Sequence, residues 1–281
     1  MLSKPLLSYT SYIILLAGLL ISGNATSDID ETYGISVGAN LANYNSELAI
    51  NSQDNSINKA FNFEDDLGYD KKVNAGWISG WYRTGEHHRL RLTYTPISRS
   101  STIQNTKDIV IDNTTIKAGA AIRSESRTEI LDFSYIYSFH KSANLEAGLS
   151  AGIYWLLSDT KIFAAGEIQA EGDDQSSFRS DYFTEEKILA PMPLIGLSAN
   201  YELSDSWRSH ASLRYLSVQI DEIDGNILSA EVGTEYYFND NWGIGASIAY
   251  FDLDIEVNGI IGNSSLSWDH NGIQLYAVFK Y

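Results

Sequence analysis

The final stretch of the chain alternates apolar and polar side chains almost without a break. Ile273, Leu275, Ala277, Phe279 and Tyr281 interleave with Gln274, Tyr276, Val278 and Lys280. A period of two sends successive side chains to opposite faces of a strand. One face then meets an apolar medium and the other a polar one. The pattern recurs upstream. Tyr33, Ile35, Val37, Ala39 and Leu41 interleave with Gly34, Ser36, Gly38 and Asn40, and Leu131, Phe133, Tyr135, Tyr137 and Phe139 with Asp132, Ser134, Ile136 and Ser138. Ten such segments are predicted: 33–44, 73–83, 89–97, one ending at Phe139, 145–155, 194–201, 207–218, 227–238, 242–252 and 268–281. Most are close to the length with which a tilted strand crosses a bilayer, about 9–11 residues.

The connections between these segments alternate in length. Thr84–His88, His140–Asn144, Leu203–Ser206 and Asn239–Asn241 are tight and polar, whereas 46–72, 98–127, 157–193 and 253–267 are long. Asp221–Asn226 is the one short connection on the long side. Short turns on one side and long loops on the other describe an all-β, antiparallel transmembrane β-barrel, with the short side periplasmic and the long loops extracellular. About ten strands are expected, with eight as the alternative count, and an even number places both termini on the short side. A soluble β-sandwich has no need of that regular alternation. Aromatic side chains mark the span ends. Tyr137, Phe139, Trp207, Phe238, Trp242, Phe279 and Tyr281 form a girdle beside the short turns. Trp77, Tyr94, Trp155, Tyr215, Tyr250 and Trp268 sit nearer the long loops. Two such bands are what amphipathic rings make at headgroup level.

The start of the chain fits export. Lys4 is the only charge before Asp28, and Tyr12–Ile21 is an unbroken apolar run followed by Ser22, Gly23, Ala25 and Ser27. That run suits the apolar core of a secretory signal peptide and is too short for a membrane-spanning helix, which takes about 20 residues. Residues 1–27 are therefore read as a signal peptide and 28–281 as the barrel domain, in the outer membrane of a Gram-negative bacterium. A spanning structure without long apolar helices has to be a closed barrel, because only those two forms satisfy every backbone hydrogen bond in lipid.

Composition removes several functions. The chain has no cysteine, so disulfides, thiolate ligands, thiol nucleophiles and a lipoprotein anchor are excluded. Its formal net charge of −17 argues against nucleic acid as a partner. No phosphate-binding loop or metal-ligand spacing stands out, and no cofactor is expected.

By strand phase, Arg89, Arg91, Arg208 and Arg214 point into the barrel, and so do Asp132, Glu146, Glu202, Glu231 and Glu235. A charge in a narrow lumen has to be paired or hydrated. The expected arrangement is an interior ion-pair network that fills the lumen. The alternative, a porin-like small channel for polar or cationic solutes, has to use the same groups in a barrel narrower than the roughly 16–18 strands of open pores.

A third reading concerns the outer rim. Ten-stranded barrels include proteases of the omptin type, which use an Asp pair and an Asp–His pair there. Asp252 and Asp254 share a face, but Asp269 and His270 are adjacent and point to opposite faces, which separates an Asp from the His it would orient. A lipid-modifying enzyme needs a Ser–His–acid set, and none of Ser264, Ser265 and Ser267 is singled out by spacing to His270. His87, His88 and His140 fall in short turns, and His210 is inward between Arg208 and Ser212. The acidic clusters Glu64, Asp65, Asp66 and Asp70, and Glu167, Glu171, Asp173, Asp174, Asp181, Glu185 and Glu186, read as a solvated rim, with divalent-cation binding as the sharper possibility.

Several stretches resemble an uncharacterised family of proteobacterial outer-membrane β-barrel proteins: HHRLRLTYTPISRS (87–100), TIKAGAAIRSESRTEILDFSYIYSF (115–139), LEAGLSAGIY (145–154), APMPLIGLSANYELSDSW (190–207), DGNILSAEVGTEYYF (224–238), FDLDIEV (251–257) and LSWDHNGIQLYAVFKY (266–281). The resemblance implies a fold and a location and transfers no reaction, ligand or catalytic residue. The expectation is a non-enzymatic barrel of structural or surface-interaction type. Its expected partners are outer-membrane lipid, lipopolysaccharide and, through the C-terminal strand, the barrel-assembly machinery.

Export is checked by mass spectrometry of the protein from outer membranes. The expected mature N-terminus lies near Thr26 or Asp28; an intact chain in the inner membrane contradicts the leader assignment.

Overall fold

The computed structural model describes residues 31–281 apart from 53–57, 112–113, 171–176, 221–222 and 259–261. The leader, Glu171, Asp173 and Asp174 therefore lie outside the described residues. In chain order the elements are β1 (Tyr33–Ser52), β2 (Asn58–Asn62), α1 (Phe63–Asp66), β3 (Lys72–Gly85), β4 (His88–Gln104), β5 (Ile109–Ile111), β6 (Thr114–Ile116), β7 (Ala121–Lys141), β8 (Leu145–Ala170), β9 (Ser177–Ser204), β10 (Trp207–Ile220), β11 (Ile223–Tyr237), β12 (Trp242–Asn258) and β13 (Gly262–Lys280). Ten long strands, β1, β3, β4 and β7 to β13, pair antiparallel with their neighbours, and β13 returns to β1. The result is a closed ten-stranded barrel. β2 pairs with the far end of β1, and β5 and β6 form a small ribbon on β8.

The seam between first and last strands runs from Gly34↔Lys280 to Ser52↔Gly262. The Tyr33 and Tyr281 backbones exchange hydrogen bonds at 2.9 and 2.8 Å, which laces the start of β1 to the end of β13 beside the short turns. Closure leaves no unpaired edge, as lipid requires.

Side chains sort by phase. On the outer face Ile195, Val232, Ile244 and Ile248 are more than half exposed, at 64%, 63%, 57% and 68%. No described helix is long and apolar enough to cross a membrane; the strands carry the apolar band. Its upper limit is visible on β7. Leu131, Phe133, Tyr135, Tyr137 and Phe139 face outward below it, and Glu129, Arg127, Glu125 and Arg123 face outward above it. β12 changes likewise, from Ile244, Ala246, Ile248 and Tyr250 to Asp252, Asp254 and Glu256.

The strands extend well past this limit, which corrects the expectation of long loops at 98–127 and 157–193. β4 continues to Gln104, β7 begins at Ala121, and β8 and β9 make up most of the second region. There the inward face keeps the alternation, with Ile122, Ser124, Ser126 and Thr128 all buried. Only the outward face turns charged, so the segment reads as a loop by composition and as a strand by period. Beneath this ribbon Leu67, Tyr69, Ile109, Ile116, Ile122 and Ile162 form an apolar cluster outside the band.

The outward assignment is checked at Leu213, 50% exposed between Ala211 and Tyr215 on β10. An Arg facing lipid near the midplane costs about 2–4 kcal/mol. Leu213→Arg should lower the urea midpoint of the barrel in lipid vesicles while Leu213→Met leaves it nearly unchanged. Equal midpoints contradict the assignment.

Candidate functional site

At the short-turn end the lumen is crossed by a layer of buried charges. Glu146 on β8 is its first centre. Arg83 on β3 donates to its two carboxylate oxygens at 2.8 and 3.2 Å, and Arg89 on β4 donates at 2.7 Å. Ser138 on β7 adds a hydroxyl at 2.5 Å. Arg208 on β10 is the second centre. Its Nε and an Nη donate to Glu235 Oε2 on β11 at 3.0 and 2.7 Å, and the Tyr237 and Tyr276 hydroxyls also donate to Glu235, at 2.6 and 3.1 Å. Glu31 joins the halves. It precedes β1, yet its carboxylate lies 3.1 Å from Arg208 and 3.5 Å from Arg89. All six ionic side chains are at most 8% exposed. Three guanidinium groups meet three carboxylates, and the buried Lys280 ammonium lies over the Tyr237 ring at 4.4 Å beside them. Charge-assisted bonds of this density repay desolvation only when every partner is present.

Above this layer Arg214 and Asp132 form a forked pair across the lumen, at 2.8 Å between Nη1 and Oδ1 and 2.6 Å between Nη2 and Oδ2. His210 Nε2 lies 3.4 Å from Glu231. Arg91, Trp77, Gln274 and His270 face the same space, a cavity of about 200 Å³. Higher still the lumen is apolar. Tyr44, Val73, Ile97, Ile130, Leu156, Met192, Leu194, Ile227, Phe251, Leu253 and Trp268 are buried against one another, with Leu216 packed on them, so each of the ten barrel strands contributes. This lid is absent from the polar-lumen expectation.

Bulky rings fit the interior because glycine stands opposite. A Cβ on Gly34 would lie 2.1 Å from the Trp81 ring, and one on Gly245 would lie 2.2 Å from Tyr276. Trp77 and Trp268 are accordingly lumen residues and not members of an outer aromatic band. Tyr94, Tyr215 and Tyr250 do face outward. At the short-turn end Tyr137, Phe139, Trp207, Trp242 and Tyr281 are exposed and Phe238 and Phe279 half-buried; the Trp242 and Phe279 rings are 5.0 Å apart.

The rim residues do not assemble into a protease-like set. His270 points inward and stacks between Tyr44 and Phe251 at 4.9 and 5.2 Å. Asp269 faces out and accepts from Asn45 at 2.9 Å, while Asp252 accepts from the Tyr250 hydroxyl at 2.8 Å. In the first acidic loop Glu64 pairs with Arg99 at 2.6 Å, Asp65 with Lys71 at 3.1 Å and Asp66 with Lys107 at 2.6 Å. That last contact raises the Lys107 pKa. The Ala118 N–H, and then Lys117, hold Asp108 below the usual carboxylate range. Among the described residues no group of acidic and histidine side chains is arranged to hold a metal ion.

Of the residues singled out by phase, Arg89, Glu146, Arg208 and Glu235 meet in the lower layer, and Asp132 pairs with Arg214 and Glu231 with His210 above it. Arg91 lines the cavity. Glu202, half-buried beside the short turn, lies opposite Arg208 in register. Phase reasoning missed Arg83, Glu31 and Tyr237. Arg83 shares the inward phase of Trp81 and was legible. Glu31 was not: continuing the phase of Tyr33 and Ile35 sends it outward, and only the turn before β1 brings it in.

No family model matches the chain, and no curated protein matches it. Among solved structures it is similar to the outer-membrane protease OmpT from Escherichia coli. That chain is 11% identical, the match covers 92% of this chain and 100% of OmpT, and the TM-score is 0.57. Ail, the attachment invasion locus protein of Yersinia pestis, is 8% identical over 90% of this chain and all of its own, with a TM-score of 0.33. The outer-membrane protein OprG from Pseudomonas aeruginosa is 12% identical over 92% and 98%, with a TM-score of 0.34. The likeness to OmpT is one of fold: a barrel of the outer-membrane type.

The forked Arg214–Asp132 pair gives a test by double substitution. Asp132→Asn strands a buried guanidinium and should cost about 3–5 kcal/mol. Asp132→Asn with Arg214→Met should cost less than Asp132→Asn alone, read from urea midpoints in vesicles. Additive losses contradict the coupling.

Proposed function

We propose that the protein is an outer-membrane barrel with a sealed lumen, of structural or surface-interaction type, and that it is not an enzyme. The observation that carries this is the three-Arg, three-Glu layer at the short-turn end, backed by the apolar lid above it. Together they favour a filled lumen over the continuous aqueous path on which a solute channel depends. The pairing of Glu64, Asp65 and Asp66 with basic side chains and the inward turn of His270 favour this reading over a rim enzyme. The band of outward apolar residues suits outer-membrane lipid. Arg127, exposed just above it, suits the phosphate groups of lipopolysaccharide. The last strand, with Ile273 and Leu275 exposed on its outer face, is the segment offered to the assembly machinery.

The purified protein should show no steady conductance in planar lipid bilayers. Glu146→Gln leaves Arg83 and Arg89 short of a carboxylate and should either destabilise the barrel or introduce conductance. A wild type with large, steady conductance overturns the sealed-lumen reading and favours a channel for polar or cationic solutes.

A further inference from the structure

The cavity between the charged layer and the lid is built around one arginine that the rest of the lumen does not satisfy. Among the described residues the other guanidinium groups that face the lumen beside it meet carboxylates: Arg83 and Arg89 meet Glu146, Arg208 meets Glu235, and Arg214 meets Asp132. Among the described residues no hydrogen bond or ion pair reaches Arg91, and its buried Nε has no partner. Arg89, two residues before it on the same face, repels it. Glu231 lies within Coulombic range, but His210 holds it at 3.4 Å. A guanidinium in such a place calls for an acceptor, and its planar fork matches a carboxylate through two parallel bonds.

The opposite boundary of the cavity is of another kind. Tyr44, His270 and Phe251 form a stack of rings there, and Tyr154 stacks on Phe251 at 4.9 Å. His270 also presents a buried ring nitrogen, Nδ1, with no partner. One side of the space therefore seeks an oxyanion and the other offers flat aromatic faces. At about 200 Å³ it admits a small guest and not a drug-sized one.

We propose that this cavity is a binding site for a small aromatic carboxylate, with its carboxylate on Arg91 and its ring against the Tyr44–His270–Phe251 wall. The proposal goes beyond the sealed-barrel reading, which an unliganded cavity satisfies equally well; it requires the guest to enter past the apolar lid and not through the charged layer.

The probe is 4-fluorobenzoate, followed by fluorine NMR on the detergent-extracted full-length protein, with 4-fluorobenzyl alcohol as its uncharged counterpart. Saturable binding of the acid is expected. The alcohol should bind at least about tenfold more weakly, the worth of one charged hydrogen bond. Arg91→Gln should lose the acid by a similar factor, and Arg91→Lys should fall between the two. Arg123→Gln, exposed on the outer face away from the cavity, should bind as the wild type does. Absence of saturable binding, equal binding of acid and alcohol, or undiminished binding by Arg91→Gln each overturns the proposal. The comparison of acid and alcohol needs only the wild type, so it decides even where Arg91→Gln fails to assemble. None of these results bears on conductance, which tests the sealed barrel separately.

Discussion

Glu146 cannot be hydrated where it stands. It is buried inside a ten-stranded barrel, and its stability as an anion depends on Arg83 and Arg89 reaching it from two other strands. Arg208 makes the mirror-image demand on Glu235 and Glu31. Desolvating such groups costs several kcal/mol each unless the geometry returns it. Here eight strands converge on one layer, through Arg83, Arg89, Ser138, Glu146, Asn200, Arg208, Glu235 and Tyr276. A register slip of one residue in any of them would turn its side chain outward. The layer thus closes the lumen and specifies the pairing of the wall in one arrangement.

The interior above it follows a gradient of chemistry. Forked and single ion pairs give way to a polar cavity and then to an apolar lid drawn from all ten strands. Hydrophobic residues on both faces of a strand at the same height are unusual for a channel and natural for a filled barrel. Filling is achieved by setting large rings over small residues, as with Trp81 over Gly34 and Tyr276 over Gly245. The outward face is independent of this. It needs only to be apolar between Glu129 and the short turns, and beyond that limit the ribbons of β7, β8 and β9 carry charge outward while keeping a packed inner side.

Much of this was legible in the residues. The ten spans, the short turns and the inward phase of Arg89, Glu146, Arg208 and Glu235 follow from a period of two, because a pleated strand leaves no other choice. The ribbon extensions were not legible as strands, because Arg123, Glu125 and Arg127 give the segment the composition of a loop. The lid was hidden for a related reason. Tyr44 occupies an inward position where a polar residue was expected, Trp268 was expected in an outer aromatic band and Leu253 in a loop, and hydropathy alone does not tell a filled lumen from a lipid face. Glu31 lay beyond the reach of phase, since it enters the lumen by a turn and not along a strand. Which acid meets which arginine was likewise set by closure of the ring and not by spacing along the chain.

The central claim is that the charged layer seals the cavity from the short-turn side. The protein has no cysteine, so an introduced thiol is unique. Ser150 on β8 is buried and lines the cavity, and Asp205 lies exposed in a short turn. The rate at which a charged methanethiosulfonate presented only on the short-turn side of oriented vesicles modifies Ser150→Cys, compared with Asp205→Cys, measures the seal directly. The account requires Ser150→Cys to stay unmodified while Asp205→Cys reacts at once. Equal rates at the two positions would contradict it.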